Sequence, residues 1–179
     1  MASNASYRVL SNVGEGAAMA TISVTERDIF VELRKYLIEL FDCPVQQGYQ
    51  NNTPLPDNCI VMHMLFERDL DYPSEYWESA VEEITTQRSV VATFQLDFYG
   101  VEANNRSRVV ANLWKSSYTT ERLVKCQPLD SGQPRKDILV NESNQYENRM
   151  MLEIALQYNP ETSYHVDGVD EISMTTTNI

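Results

Sequence analysis

The carboxylates and histidines are the side chains of this sequence whose types could do chemistry, and their spacing gives a reaction little to work with. Asp97, Glu147 and Glu153 fall in stretches of strand character and could supply a pair for general acid–base work, yet the same spacing describes residues on the open face of a sheet. His63 has no second ligand at metal-binding spacing and reads as a packed or edge-exposed histidine, and His165 stands in a C-terminal segment with no motif around it. A Gly-rich phosphate loop, Gly-x-Ser-x-Gly, His-Glu-x-x-His and an Asp-x-Asp-x-Asp-Gly loop are all missing, and 6 glycines leave little backbone for an anion cradle. Cys43, Cys59 and Cys126 are widely spaced and include no Cys-x-x-Cys pair, which points to reduced thiols in a cytosolic setting rather than a disulfide framework. The expectation is a protein that is not an enzyme and that holds no cofactor or metal.

Charge says more. The net charge is -12, and the stretch from Glu67 to Glu83 carries seven acids, Glu67, Asp69, Asp71, Glu75, Glu78, Glu82 and Glu83, against the single base Arg68. Half of the chain's net charge therefore sits in one short segment. A protein this acidic repels nucleic acid and anionic membranes and docks on basic surface. The plainest reading of the segment is a solvated acidic loop. Its expected structure is a loop or short helix followed by a β arm that feeds the strand at Val90. No basic segment precedes an apolar run at the start, and no apolar stretch approaches the ~20 residues that span a bilayer, so neither secretion by a standard signal nor membrane insertion is expected.

The elements that position these residues centre on a sheet. Val90, Ala92, Phe94, Leu96 and Phe98 alternate with Val91, Thr93, Gln95, Asp97 and Tyr99 up to Gly100. Met150, Leu152, Ile154, Leu156 and Tyr158 alternate in the same way with Arg149, Met151, Glu153, Ala155 and Gln157. Each stretch predicts a long strand with one core face and one mixed, solvated face, and two such strands make the centre of an antiparallel sheet. In that register Leu96→Asp is ruinous and Gln95→Asp mild. Ile60 to Phe66 predicts a shorter strand with Ile60, Met62, Met64 and Phe66 on one side.

Thr25 and Asp28 have the spacing of a capping box ahead of Phe30, Leu33, Leu37, Leu40 and Phe41, so a helix is predicted from Glu26 to Phe41. A second is predicted within Val101 to Tyr118, with Ala103, Val110, Leu113 and Trp114 inward and Arg106, Arg108 and Lys115 elsewhere. Gln46 to Asn58 reads as a loop, Tyr118 to Lys136 as irregular, Asp137 to Val140 as a short strand, and the residues around Tyr164, Val166, Val169, Ile172 and Met174 as terminal β structure. The fold class is α+β, an antiparallel sheet with long central strands flanked by about two helices. Residues 1–22, rich in Ser, Asn, Ala and Gly, read as a flexible or partner-ordered arm ahead of a single domain over 23–179.

With the elements placed, the sequence resembles the neck or tail terminator-like proteins of tailed bacteriophages. The resemblance runs through Leu33-Arg34-Lys35-Tyr36-Leu37, Gln47-Gly48-Tyr49-Gln50-Asn51, Pro54-Leu55-Pro56 and the strand Cys59 to Met64. It continues in Phe94-Gln95-Leu96-Asp97-Phe98-Tyr99-Gly100, Leu113-Trp114, Gln145-Tyr146-Glu147-Asn148-Arg149 and Leu156-Gln157-Tyr158-Asn159-Pro160. It covers roughly Glu26 to Ile179. It implies a structural virion protein, a ring taken as a hexamer, that terminates the tail tube and joins it to the head connector while leaving a channel for DNA. The implied partners are further copies of the chain, a head-completion or connector protein and the tail tube protein. DNA passes without being specifically bound, no membrane is involved, and assembly takes place in the bacterial host cytoplasm. On that reading the acids of Glu67 to Glu83 face the channel. The rival reading is an acidic cytoplasmic binding protein that mimics DNA, although a mimic needs acids spread at phosphate-like spacing.

Overall fold

The computed structural model describes residues 20–49, 54–80, 82–140 and 146–166. The arm up to Met19 and the C-terminal positions Val169, Ile172 and Met174 lie outside the described residues. The elements in chain order are β1 (Thr21–Ile22), α1 (Glu26–Leu40), β2 (Val45–Gln47), β3 (Ile60–Asp69), β4 (Ser74–Glu78), β5 (Glu83–Gln87), β6 (Val90–Tyr99), α2 (Ala103–Leu113), α3 (Ser117–Thr120), β7 (Gln127–Ser131), β8 (Arg135–Val140), β9 (Tyr146–Tyr158) and β10 (Glu161–His165). The strands form two sheets. The larger runs β2-β3-β6-β9-β7, with β8 also on β9, and the smaller runs β1-β10-β5-β4.

β6 is the centre of the larger sheet because alternation leaves it a wholly apolar face. Ala92, Phe94, Leu96 and Phe98 have no exposure and Val90 little, and antiparallel β9 answers them with Leu152, Ile154 and Leu156, as expected. The opposite face is not solvated as expected: Asp97 is fully buried, and Val91 and Tyr99 nearly so. Pairing throughout the larger sheet is antiparallel except at its edge, where β2 lies parallel to β3.

α1 covers the apolar face. Thr25 caps it with both arms of the capping box, its side chain accepting from the Asp28 amide and its own amide donating to the Asp28 carboxylate. Ile29, Phe30, Leu33, Tyr36 and Leu37 then turn inward, and Phe30 meets Phe94 edge to face at 5.1 Å between centroids. A cap contributes about 1 kcal/mol, whereas burying each large apolar side chain contributes about 1.5–3 kcal/mol, so packing rather than capping holds the helix down. α2 lies on β6 and β9, where the Trp114 indole just beyond its end donates to the Ala155 carbonyl at 3.0 Å. The predicted helix over Val101 to Tyr118 is in fact two, α2 and the single turn α3. α3 places Thr119 against the Tyr36 hydroxyl at 2.8 Å.

Four further expectations are corrected. β3 runs on to Asp69, and a bulge at Leu65 between the pairs Met64↔Phe94 and Phe66↔Thr93 turns Phe66 off the core face, where it stays exposed. Gln46 and Gln47, read as loop, belong to β2. The stretch read as irregular holds α3 and β7, whose Pro128 is tolerated because the strand is an edge. In the Glu67 to Glu83 segment the expected β arm is β5, but the part read as loop or short helix contains no helix among its described residues: after β3 it turns and becomes β4, which pairs with β5 in a hairpin that leaves the larger sheet and returns to it as β6.

Candidate interaction surface

The hairpin β4–β5 is an excursion between two strands that are themselves paired, so something must hold its base. Three of the seven acids do this. Asp69 at the end of β3 is ion-paired with Arg88, and the Asp71 carboxylate accepts the Ser89 amide at 2.9 Å, while the Leu70 amide donates to the Ser89 carbonyl at 2.9 Å. The Ser89 amide bond is the main reason the Asp71 carboxyl titrates below the usual carboxylate range. Glu67 accepts the Tyr158 hydroxyl at 2.6 Å, and burial followed by this carboxylate pushes the phenol well above its ordinary value. Glu67 and Asp69 line a cleft together with Ile22, Thr86 and Thr162 of the smaller sheet.

The other four divide by strand register. Glu75 pairs with Thr86 and so shares the face that looks into this cleft. Glu78 stands directly across from Glu83, which in turn faces His165, on the other side of the sheet. Like charges opposite one another weaken a strand pair, so this row is not there for stability. Glu82, with a φ of 53°, sits in the turn before β5 and is 3.8 Å from His165. The structure thus gathers the seven acids at one excursion without giving them a common face. Every residue of β4 is exposed, including Tyr76 at 49% and Trp77 at 59%, and Tyr72 in the preceding turn is 94% exposed.

The smaller sheet is held by polar cross-strand bonds, Thr85 to Ser163 at 2.8 Å and Gln87 to Glu161 at 2.9 Å, and none of its strand residues enters the hydrophobic core. Arg106, Arg108 and Lys115 of the second-helix region are not a matching basic patch: Arg106 bonds Asn58 at 2.8 Å and Lys115 pairs with Asp130 at 2.6 Å.

Sequence reasoning missed a second polar cluster. Asp97 accepts from Arg149 at 2.7 Å through Oδ2 and from Gln95 at 2.9 Å through Oδ1, and His63 Nε2 lies 3.2 Å from the same Oδ2. Arg149 also reaches Asp137 at 3.1 Å; burial alone lowers its pKa, but the bond to Asp97 and the Asp97 charge outweigh this and hold it up. Glu153, the other described carboxylate of the sequence reading, is ion-paired with Arg135, so the proposed acid–base pair does not form with Asp97; the side chain of Glu147 lies outside the described residues. Gly48 is required beside this cluster, since a Cβ there would stand 2.1 Å from the His63 ring. The cluster reads as structural: both its carboxylates are tied, Asp97 to Arg149, Gln95 and His63 and Asp137 to Arg149. Burial pushes the thiols of Cys59 and Cys126 up to about 11 and about 12, which keeps them protonated and unreactive. Among the described residues no three of His, Cys, Asp and Glu gather as metal ligands, and no helix is long and apolar enough to cross a membrane.

The exposed, acidic excursion therefore stands on a body packed around an apolar core. A comparison with curated proteins found no match. A family model described as phage neck terminator protein matches residues 27–179, which takes in all of the larger sheet, its helices and the acidic excursion. The chain belongs to the phage neck terminator protein family.

Proposed function

We propose that this structural protein of the phage neck forms a closed ring, taken as a hexamer, that terminates the tail tube, joins it to the head connector and leaves a channel through which DNA passes unheld. Its contacts are with other copies of itself, with a head-completion or connector protein and with the tail tube protein, after assembly in the host cytoplasm. Of residues 1–22, those ahead of β1 serve as an arm ordered by a neighbour, while β1 joins the single folding unit over 23–179 through its pairing with β10.

The observation that carries this reading is the use of the acids. Asp69, Asp71 and Glu67 are engaged in holding the excursion, whereas Glu78 and Glu83 stand side by side with no ion pair among the described residues. Each phosphate gripped by Lys or Arg adds salt-dependent affinity and slows a sliding duplex, and an acidic wall adds none. We assign the channel to the Glu78–Glu83 face. A DNA mimic is a poorer fit, because acids committed to internal bonds cannot imitate a row of phosphates.

The test replaces Glu78 and Glu83 together by Gln. A channel position predicts particles of normal yield that eject DNA more slowly, because the wall no longer repels phosphate. Normal ejection accompanied by aggregation of the free protein would place the pair on the outer rim, where its charge serves solubility.

A further inference from the structure

Among the described residues the smaller sheet ends in two open edges, and their directions match. Each neighbouring pair in the order β1-β10-β5-β4 is antiparallel. Four alternating strands leave β1 and β4 pointing opposite ways. When a second copy is placed with its β1 against β4 and its strands in the same sense, the new pair is antiparallel too, and the alternation continues unbroken from copy to copy. An odd number of strands would not allow this.

The β4 edge is built to accept a strand. Its five residues are all exposed, Tyr76 and Trp77 project to opposite faces where they can flank an added strand, and no Lys, bulge or internal Pro guards it. The β1 edge offers a suitable occupant: Ile22 is 54% exposed, and the run from Ala20 to Val24 contains no charge, Gly or Pro, so nothing in it repels Glu75 and Glu78.

We infer that β4 of one copy takes β1 of a second copy as its antiparallel neighbour, so that the smaller sheets join head to tail. This rests on the ring reading and names the surface that would close it.

The test pairs Ile22→Cys with Glu75→Cys in one variant and Ile22→Cys with Trp77→Cys in another; both partners share the face of Ile22 and differ by one step of register. Within one chain these positions lie across three strand spacings, about 14 Å, beyond the ~7 Å reach of a disulfide. Mild oxidation of the full chain is therefore expected to give a ladder of covalent multimers on a denaturing gel, with single variants giving dimers at most. Amide exchange on the unmodified chain provides the second reading: residues 74–78 slow as it assembles. Rings of normal size with no ladder from either variant, and unslowed exchange in β4, would overturn the edge pairing while leaving the ring. A chain that stays monomeric overturns both. Slowing in β4 only when tail tube or connector protein is added would overturn the choice of a second copy as occupant.

Discussion

The two sheets use the same strand geometry and differ in what they bury. In the larger one, β6 and β9 set apolar rows against α1 and α2, and the polar residues on the reverse face are tied into Asp97, Arg149 and Gln95. In the smaller one, hydroxyl and amide pairs join strands whose outer member, β4, is exposed at every residue. A sheet stabilised by burial tolerates little change and makes a scaffold. A sheet joined by cross-strand hydrogen bonds, worth about 0.5–1.5 kcal/mol each, gains less from its own packing and leaves surface that a partner can cover.

The sharpest way to break the contrast is Leu96→Asp. It puts an unpaired carboxylate in the centre of the core and should unfold a protein whose stability is about 5–15 kcal/mol. A thermal transition close to that of the unaltered chain would show that β6 does not organise the core. Arg149→Leu comes next, because it leaves Asp97 buried with its strongest partner gone. We expect a loss of about 3–5 kcal/mol, read as a fall in melting temperature of roughly 10 °C. Arg149→Leu with Asp97→Leu should recover part of the loss, since both charges then leave together. The reverse face also changes an earlier expectation: Gln95→Asp is not mild, because Gln95 donates to Asp97 and a carboxylate in its place would repel it.

Acid is a finer probe of the excursion. The Asp71 pKa is depressed in the folded chain, so its contribution is fully present above the unfolded value of about 3.9 and is lost as pH falls through the lower folded value. Asp28, depressed by Lys125, and Asp130, depressed by Lys115, add to the same acid limb. Melting curves between pH 6 and 3 should therefore fall less steeply for Asp71→Asn than for the unaltered chain; identical slopes would remove Asp71 from the clamp. Trp77→Ser should have the smallest effect on the free chain, within about 0.5 kcal/mol, because Trp77 touches no core. A large loss from this variant would make the smaller sheet a second core and dissolve the contrast.

The same division governed what could be read from the sequence. β6 and β9 were legible because one face is uninterrupted apolar, and α1 because Thr25, Asp28 and the Phe30, Leu33, Leu37 spacing agree. β5 was legible only as a β arm ahead of Val90, and β4 was not, because Ser74 to Glu78 has no apolar alternation to mark a face; its cross-strand partner defines it. The bulge at Leu65 defeated a simple parity count, and Phe66 was placed on the side of Ile60, Met62 and Met64 for that reason. The Asp97 cluster draws His63, Arg149 and Asp137 from three other strands, and only the register of β3, β6, β8 and β9 brings them together. The one signal available was Asp97 itself, an acid within a stretch of strand residues too apolar to be solvated. The acids of Glu67 to Glu83 were conspicuous by composition, but their split into three that clamp and two that face outward depended on the hairpin.

Cryo-EM of purified virions tests the central claim most directly. This chain should stand as a closed ring at the head–tail junction, with the larger sheet as its body and the β4–β5 excursion in the contact between copies, its Glu78–Glu83 face toward the DNA path. A chain missing from the virion would contradict the neck assignment. A ring whose excursion stands on the outer rim, with β4 uncovered and Glu78 and Glu83 farther than a Debye length of about 8–10 Å from any DNA path, would contradict the division between scaffold and contact surface.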